Sequence, residues 1–340
     1  MKVIFVHHRS SHHAQNSGYA RLIEFIDGEV VYGKAYYPFK LWKYFADKHS
    51  QNQGLYDAGS AFKAIELYRA LKRNRRHRSV VHFLNGERDV RYISFFKKRF
   101  PNAYFCATFH KPPAILENTI TDPSALKHLD GAIAVGANQV EFLKEWLGLK
   151  NVVYIPHGVD TGFFKPEISL RKKNTLLFVG QHLRDFDTFN ATIPKLANTF
   201  ADLKVNVVIH PFYTSKIIPH PSIKVFTKVD DNELLRFYQE ATVLYLPMFD
   251  GTACNSLLEA MACGLPIVTS KVGGNMAYLE NTLNILMEKG DVEGYINETV
   301  DLIQDEKRLE ELGIMSRERS LDMDWAAISQ ELENFYQNLK

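Results

Sequence analysis

The sequence contains little cysteine and no long hydrophobic run. Its three cysteines, Cys106, Cys254 and Cys263, are too few for a disulfide framework and form no C-x-x-C metal motif. The N-terminal apolar run covers only residues 3–6, whereas a membrane span needs about 20 residues. Neither G-x-G-x-x-G nor G-x-x-x-x-G-K-[ST] occurs, so the usual signatures of dinucleotide-dependent redox enzymes and of P-loop phosphoryl transfer are missing. These absences predict a soluble, cytoplasmic protein.

The composition is that of an ordinary globular protein, but the charge is unevenly distributed. Hydrophobic residues make up 46% of the 340 positions, and this length predicts two domains. Residues 1–155 carry 23 Lys and Arg against 13 Asp and Glu, and residues 156–340 carry 18 against 26. Halves of opposite sign indicate different partners, with the basic half meeting an anion, although drift in surface composition is an alternative. No zinc-finger or RNA-binding motif points to nucleic acid.

Short apolar runs alternate with helical periodicity along the whole chain, which predicts an α/β fold with mostly parallel sheets. In the first half, KVIFVHH predicts a strand and the apolar-periodic stretch YARLIEFI follows it, with further strands expected at 79–84, 103–109, 131–136 and 151–156 and helices at 60–73, 89–99 and 137–147. The second half predicts strands at 174–180, 204–209, 222–227, 242–247, 265–270 and 284–287, with helices at LLRFYQEA, NSLLEAMACG and VEGYINETVDLIQ. Pro156-His157-Gly158 separates the two series, so we expect two doubly wound domains with a cleft between them. Ligands should lie at the carboxyl ends of the strands.

The segment DGTACNSLLEAMACGLPIVTSKVGG, residues 250–274, is the most informative motif. It predicts a polar loop, a helix, a Gly-Pro turn and a strand. Asn255-Ser256 fall at the helix start, where free backbone N–H groups and the helix dipole favour a phosphate or a sugar hydroxyl. Glu259 lies one turn further on, where a carboxylate could accept hydrogen bonds from a ribose diol, or could be an ordinary solvated helix residue.

This segment resembles the nucleotide-sugar signature of retaining GT-B glycosyltransferases of family 4, usually E-G-F-G-x-x-x-L-E-A-M-A-C-G-x-P-V-V-A. Four other segments resemble that family in order and spacing. They are IPHGVDTGFFKP (155–166), LLFVGQHLRDF (176–186), KVDDNELLRFYQEATVLYLP (228–247) and MDWAAISQELENFY (323–336). The resemblance implies an acceptor-binding domain over 1–155, a donor-binding domain over 156–322, both Rossmann-like, and a closing helix over 323–340 that packs back on the N-terminal domain.

The same resemblance implies a role for each matching residue. Glu259 would hold the ribose of a nucleoside diphosphate sugar, and Arg184 would neutralise the diphosphate together with His182 or a group of the N-terminal domain. A surface ion pair of Arg184 with Asp185 or Asp187 is the alternative. The residues expected to contact the rest of the donor are Thr227 and Lys228 at the base, and Thr252, Ala253, Cys254 and Ser256 at the sugar and diphosphate.

The sequence departs from the family pattern at two places. The first signature Glu falls on Gly251, so either Asp250 or Asn255 should contact the donor sugar, and T-A-x-N-x-L-L-E favours Asn255. In the phosphate loop, the family usually has an Arg followed some residues later by a Lys. This chain has Gln181-His182-Leu183-Arg184-Asp185 there, and no Lys follows Arg184 before Lys195.

Two residues of the first half, Gly18 and His110, complete the predicted site, and two further features of this half bear on partners. Gly18 lies where the family has a glycine-containing loop near the donor phosphates, or is a plain helix-start glycine. His110 follows a strand where the family often has an active-site His, which would orient the acceptor or the donor sugar. The histidines at 7, 8, 12 and 13 lack the spacing of a metal site. The basic stretches LKRNRRHR (71–78) and FFKKRF (95–100) could dock on anionic lipid or be solvated helix faces.

The resemblance implies a retaining hexosyltransferase that uses a UDP- or GDP-linked sugar without a metal or other cofactor. The expected acceptor is a glycan or lipid-linked glycan of surface polysaccharide or glycolipid synthesis, with peripheral membrane attachment. A GT-B-type nucleotide-sugar epimerase and a catalytically silent sugar- or partner-binding subunit are the alternatives, and Gly251 favours the second of them.

Overall fold

In the computed structural model, the described residues are 1–8, 16–33, 44 and 52–339. The chain divides into two compact units. The first contains residues 1–13, 19–156 and 326–340, and the second contains residues 14–18 and 157–325. Among the described residues, each unit holds one six-stranded sheet, and every strand pair in both sheets is parallel.

The first sheet has the strand order β2-β1-β3-β4-β5-β6. Its strands are β1 Lys2–Val6, β2 Glu29–Val31, β3 Ser79–Phe83, β4 Ala103–Phe109, β5 Gly131–Ala134 and β6 Val152–Tyr154. The apolar side chains of β3 and β4 are buried on both faces, as a strand inside a covered parallel sheet requires. Strand β2 lies on one side of β1, and β3 to β6 follow on the other side. The topological switch point of the sheet therefore lies between β1 and β3, and the loops after these two strands flank it.

The α-helices described in the first unit are α1 Ala58–Arg73, α2 Ile93–Arg99, α3 Pro113–Thr119, α4 Val140–Leu147 and most of α11, Trp325–Asn338. Helix α1 begins where Asp57 and Ser60 form a capping box. Helix α4 ends at Gly148, whose φ of 65° is the left-handed conformation that glycine adopts without strain.

The second sheet has the strand order β12-β11-β10-β7-β8-β9. Its strands are β7 Thr175–Val179, β8 Lys204–Val208, β9 Ile223–Phe226, β10 Val243–Leu246, β11 Ile267–Ser270 and β12 Ile285–Met287. The α-helices described in this unit are α5 Phe186–Thr199, α6 Asp231–Glu240, α7 Asn255–Ala262, α8 Asn275–Tyr278, α9 Val292–Gln304 and α10 Glu306–Leu321. The switch point of this sheet lies between β7 and β10.

The predicted α/β class with parallel sheets is confirmed, but several elements differ from the sequence prediction. The helix predicted at 89–99 begins only at Ile93, because Asp89 has a left-handed φ of 69°. The apolar-periodic stretch YARLIEFI forms a 3-10 helix over Tyr19–Glu24. Strand β2 and helices α3, α5, α8 and α10 were not predicted. No helix among the described residues is long and apolar enough to cross a membrane.

A buried polar chain joins four elements of the first unit. The ring of His82 on β3 lies 2.6 Å from the Tyr336 hydroxyl on α11 and 2.7 Å from the Thr108 hydroxyl on β4. Thr108 in turn lies 3.0 Å from the hydroxyl of Tyr19. A neutral imidazole accepts at one nitrogen and donates at the other, so it satisfies both neighbours. Burial lowers the pKa of His82 to about 3, so the ring is neutral at pH 7.

This depressed pKa predicts a specific loss of stability in acid. The unfolded chain binds a proton at His82 near pH 6.5, whereas the folded protein binds that proton only near pH 3. The contribution of neutral His82 to the free energy of unfolding is therefore complete above pH 6.5 and is lost as the pH falls toward 3. Relative to His82→Gln, the free energy of unfolding should fall by about 1.4 kcal/mol for each pH unit between pH 6 and pH 4. Thermal unfolding of both proteins across this range measures the difference. If the free energies of unfolding of both proteins fall equally with pH, His82 does not cause the loss of stability in acid.

Candidate functional site

Helix α7 carries the polar residues of the sequence motif inside an apolar surrounding. Seven of its eight residues, from Ser256 to Ala262, are buried. Cys254 precedes the helix and makes no side-chain capping hydrogen bond, so the first turn depends on other groups to satisfy its N–H donors. This uncapped N-terminus lies directly after the loop that follows β10, at the switch point of the second sheet.

The end of the motif, Gly273-Gly274, holds this loop in place. A Cβ on Gly273 would overlap the carbonyl oxygen of Gly251, and one on Gly274 would overlap that of Thr252. The Gly274 amide donates to the Gly251 carbonyl at 3.0 Å. Glycine is therefore required at both positions for the close approach that positions residues 251–252.

Glu259 is buried and has no cationic partner within ion-pair distance among the described residues. The Tyr238 hydroxyl donates to its Oε2 at 2.8 Å, and the Ser17 hydroxyl donates to its Oε1 at 2.5 Å. Burial raises the pKa of the Glu259 carboxyl, and these two hydroxyl donors oppose that rise. Burial and the adjacent Glu259 together raise the pKa of Tyr238 well above its ordinary value, so Tyr238 remains a hydrogen-bond donor.

Arg184 is a buried cation bound to neutral groups. Only 7% of its surface is exposed, and in the described part of the chain no carboxylate lies within ion-pair distance of its guanidinium. The alternative ion pair with Asp185 or Asp187 is therefore not formed, because Asp185 instead caps α5 through the Thr188 amide. The acceptors of the Arg184 side chain are the carbonyls of Val179 at 3.0 Å and His182 at 3.0 Å, Ser256 Oγ at 3.2 Å, Cys254 Sγ at 3.3 Å and Met248 Sδ at 3.7 Å.

The loops after β7 and β10 are bound to each other at this point. The Asp185 amide donates to the Pro247 carbonyl and the Phe249 amide to the Leu183 carbonyl, both at 2.9 Å. Leu183 takes a left-handed φ of 57° within this arrangement. The result is that Arg184 lies beside Ser256 at the uncapped start of α7, which brings two predicted site residues together.

Residues 16–18 belong to the second unit and are bound to two of its helices, α6 and α7. The Asn16 amide donates to Asp231 at 2.8 Å, and Asn255 Nδ2 donates to Ser17 Oγ at 3.3 Å. A depression with about 180 Å³ of empty space is lined there by Ser17, Gly18, His157, Asn255, Glu259 and Trp325, among others. Gly18, Asn255 and Glu259 therefore all line one depression.

The positions of the remaining predicted donor-binding residues neither support nor contradict contact with a donor. Asp250 is half-buried and accepts from the Gly251 amide at 2.7 Å, so one oxygen is used within its own turn. Thr227 and Lys228 are exposed after β9, and His182 is exposed with its carbonyl bound to Arg184. Thr252 is buried and Ala253 half-buried in the loop before α7. The donor roles of all these residues stay predictions.

In the first unit, His110 follows β4 and is held by a residue that the sequence analysis missed. Its Nε2 lies 2.7 Å from the Leu84 carbonyl, and the edge of the Tyr19 ring packs against its imidazole. The buried carboxylate of Glu87 accepts from the backbone amides of His110 at 2.7 Å and Lys111 at 2.9 Å. The only local signal for Glu87 is a short charged loop after a buried strand.

The sequence analysis also missed Tyr238 and Ser17, the two donors to Glu259. Tyr238 reads as an apolar helix position, and nothing local to residue 17 indicates a distant carboxylate. His12 and His13 lie outside the described residues. Among the described residues, no group of three His, Cys, Asp or Glu side chains could hold a metal ion, and metal independence stays a prediction.

Part of the second unit matches a known protein family. Residues 173–305 match the family described as glycosyl transferases group 1. A D-inositol 3-phosphate glycosyltransferase from Corynebacterium diphtheriae is 28% identical over 105 residues, which are 31% of this chain and 25% of that protein. The chain thus aligns with only a quarter of the length of this relative.

Solved structures with low sequence identity share the fold. Sucrose-phosphate synthase from Thermosynechococcus elongatus has a TM-score of 0.65 at 18% identity, covering 82% of this chain and 77% of that one. Anabaena Alr3699/HepE, solved in complex with UDP, has a TM-score of 0.67 at 13% identity and covers 100% of both chains. The predicted GT-B fold is thereby confirmed, and residues 173–305 match the glycosyl transferases group 1 family.

Proposed function

We propose that the protein transfers a sugar from a nucleoside diphosphate sugar to an acceptor hydroxyl, with retention of configuration at the anomeric carbon. The second unit would bind the donor and the first unit the acceptor. The group 1 match over 173–305 supports transfer of a sugar in general terms. Retention, the donor and the acceptor belong to the proposal alone.

The observation that carries the proposal is the environment of Arg184. A buried guanidinium that contacts only neutral groups favours an incoming anion, because desolvation strengthens the attraction. Beside Arg184, the uncapped N-terminus of α7 adds free backbone N–H groups, which also carry partial positive charge. A diphosphate satisfies both features, and Glu259, one helical turn away, would then accept from the ribose hydroxyls.

The chemistry that follows is a displacement on one face of the sugar. The bond from the anomeric carbon to the diphosphate oxygen breaks while the bond to the acceptor oxygen forms on the same face. The acceptor proton passes to the leaving phosphate oxygen, so no protein base is needed for it. Arg184 and the α7 amides would stabilise the negative charge that grows on the diphosphate in the transition state. In this scheme protein donors take the place of a divalent cation.

The other predicted residues receive roles by position. Asn255, or Asp250 in its place, would contact the donor sugar, and Thr227 with Lys228 would face the base. His110 would orient the acceptor or the donor sugar. UDP is the first nucleotide to test, because the similar Anabaena protein was solved with UDP.

A catalytically silent GT-B subunit is the second candidate, because Gly251 offers no side chain where the family signature has Glu. Both backbone groups of Gly251 are used, its amide by Asp250 and its carbonyl by Gly274. Slow hydrolysis of UDP-glucose, UDP-N-acetylglucosamine or GDP-mannose, followed as released nucleotide, supports the enzyme. Nucleotide binding without any turnover supports the silent subunit.

Glu259→Ala should weaken donor binding by about 1–3 kcal/mol, the range for losing hydrogen bonds to a charged group. Calorimetric titration with UDP and with 2′-deoxy-UDP measures the effect, and the variant should lose most of the preference for the ribonucleotide. Glu310→Ala, which removes an exposed carboxylate on α10, is the matched control. An unchanged preference in Glu259→Ala would place the ribose elsewhere.

Arg184→Met should lower kcat by about 10²–10³ and donor affinity by less than about tenfold, because charge on the diphosphate is larger in the transition state. Steady-state kinetics together with donor titration separates the two effects. Arg236→Met on α6, which removes an exposed arginine paired with Glu240, is the control. Equal losses in kcat and affinity would indicate simple ground-state binding.

The basic stretches of the first unit support an anionic membrane as a partner. The segment 74–78 precedes β3 and the last turn of α2 precedes β4, so both lie toward the amino edge of the parallel sheet, away from the carboxyl-edge loops. Arg75, Arg76, Lys98 and Arg99 are exposed there. Arg78 is partly used otherwise, since it donates to the carbonyls of Gln337 and Leu339 near the end of α11.

Vesicle flotation tests this surface. At low salt the protein should float with vesicles containing phosphatidylglycerol and stay behind with pure phosphatidylcholine. Each basic residue near an anionic surface contributes about 1 kcal/mol, so the double variant Arg75→Ala/Arg76→Ala should bind about 30-fold more weakly. Lys289→Ala/Lys307→Ala in the second unit is the control. Equal flotation with both kinds of vesicle would contradict the proposal that the basic residues bind an anionic membrane.

A further inference from the structure

Glu259, the residue proposed to bind the ribose, receives a hydroxyl donor at each of its two carboxylate oxygens. Tyr238 donates to Oε2 at 2.8 Å, and Ser17 donates to Oε1 at 2.5 Å. The two donors come from very different parts of the second unit. Tyr238 belongs to helix α6, whereas Ser17 belongs to the short segment 16–18, which lies 242 positions before Glu259 in the sequence. We therefore compare how firmly each donor is held.

Tyr238 is fixed in the core of the second unit. Its side chain is fully buried and belongs to the apolar cluster of that unit. The ring of Phe164 meets it edge-on, with 6.0 Å between the two ring centres. Withdrawing a large ring from a packed core leaves a cavity, which is strongly unfavourable. The Tyr238 hydroxyl therefore stays at Glu259 Oε2 whether or not a ligand is bound.

The segment 16–18 is held instead by hydrogen bonds. The backbone amide and the Nδ2 of Asn16 both donate to Asp231 Oδ2, at 2.8 Å and 3.0 Å. Asn16 and Ser17 are only half-buried, and neither of them nor Gly18 has an apolar side chain that could anchor the segment in the core. A hydrogen bond in such a place can be exchanged for one to a ligand at little net cost, because the number of bonds is conserved.

The Ser17 hydroxyl makes the contacts that are expected of a ligand hydroxyl. It donates to Glu259 Oε1 and accepts from Asn255 Nδ2 at 3.3 Å. In the proposed function, these two acceptor and donor residues meet the ribose and the donor sugar. Ser17, Asn255 and Glu259 all line the same depression, and Glu259 is otherwise buried, with 4% of its surface exposed. A ribose hydroxyl that enters this depression therefore meets the Ser17 hydroxyl at Oε1.

We propose that the Ser17 hydroxyl competes with the donor for Glu259. A ribose hydroxyl displaces it from Oε1, while Tyr238 remains at Oε2 and orients the carboxylate. This inference rests on the proposed function and adds to it a contact within the protein that the donor must break. The two hydroxyls therefore have opposite effects on donor affinity, since that of Ser17 lowers it and that of Tyr238 raises it.

Ser17→Ala removes the competing hydroxyl. The variant should bind UDP or GDP, whichever the wild-type protein prefers, about tenfold more tightly than the wild-type protein, because the ribose then gains a hydrogen bond to a charged group without breaking another. Calorimetric titration measures this affinity. The 2′-deoxy form of the same nucleotide, which lacks one ribose hydroxyl, should gain less. Ser169→Ala, which removes an exposed hydroxyl that donates to Glu167, is the matched control and should leave the affinity unchanged.

Tyr238→Phe should have the opposite effect. The phenylalanine ring fills the same space, but the carboxylate of Glu259 loses the contact that orients it. Affinity for the ribonucleotide should fall about fivefold, because the acceptor is no longer pre-oriented. The preference over the 2′-deoxy form should shrink as well, which a change in packing alone would not produce. Tyr245→Phe, which removes another fully buried hydroxyl, bound to Thr192 at 2.7 Å, is the matched control.

The outcomes separate this inference from the proposed function. If the wild-type protein binds UDP or GDP and Ser17→Ala binds it equally or more weakly, the Ser17 hydroxyl does not compete with the donor and the inference is wrong. Tighter binding by Tyr238→Phe would also overturn the inference, since both hydroxyls would then be displaced alike. If neither the wild-type protein nor Ser17→Ala binds any nucleoside diphosphate, the proposed function fails, and the inference fails with it.

Discussion

The burial of helix α7 is the constraint on which the candidate donor site depends. Its apolar residues pack into the core of the second unit, so the helix cannot shift to suit its polar ones. Arg317 donates to the Ala262 carbonyl at 2.7 Å, and Arg171 donates to the Cys263 carbonyl at 3.3 Å. Two cations therefore satisfy the negative C-terminal end of α7. The positive N-terminal end receives no side-chain cap and remains available to an anion.

This arrangement explains why two charged side chains are tolerated in the interior. Glu259 and Arg184 are both buried without an ion-pair partner among the described residues, which is unfavourable for folding. Hydroxyl donors satisfy Glu259, and carbonyl, hydroxyl and sulfur acceptors satisfy Arg184. Charges held in this way are typical of sites whose ligand completes their environment. In the proposed function, a nucleoside diphosphate would supply the anion that Arg184 lacks and the diol that suits Glu259.

The sequence was sufficient to predict the parallel sheets, because continuous apolar runs such as those of β4 and β7 are typical of strands buried on both faces. It did not predict α5, whose turn after β7 depends on Asp185 as a cap, nor the three-residue β2. In the site, Arg184, Asn255 and Glu259 were found through a contiguous motif. Tyr238, Ser17 and Glu87 were not, because each acts on a residue at least 21 positions away and no local pattern records such a contact.

The central claim is that the carboxyl edge of the second sheet binds a nucleoside diphosphate. A thermal-shift screen of the wild-type protein with UDP, GDP, ADP, CMP and dTDP tests it most directly, since a ligand that binds only the folded state raises the melting temperature by mass action. The account predicts a selective rise with one nucleoside diphosphate, UDP or GDP, that disappears in Glu259→Ala. A folded protein whose melting temperature moves with none of the five nucleotides would contradict it.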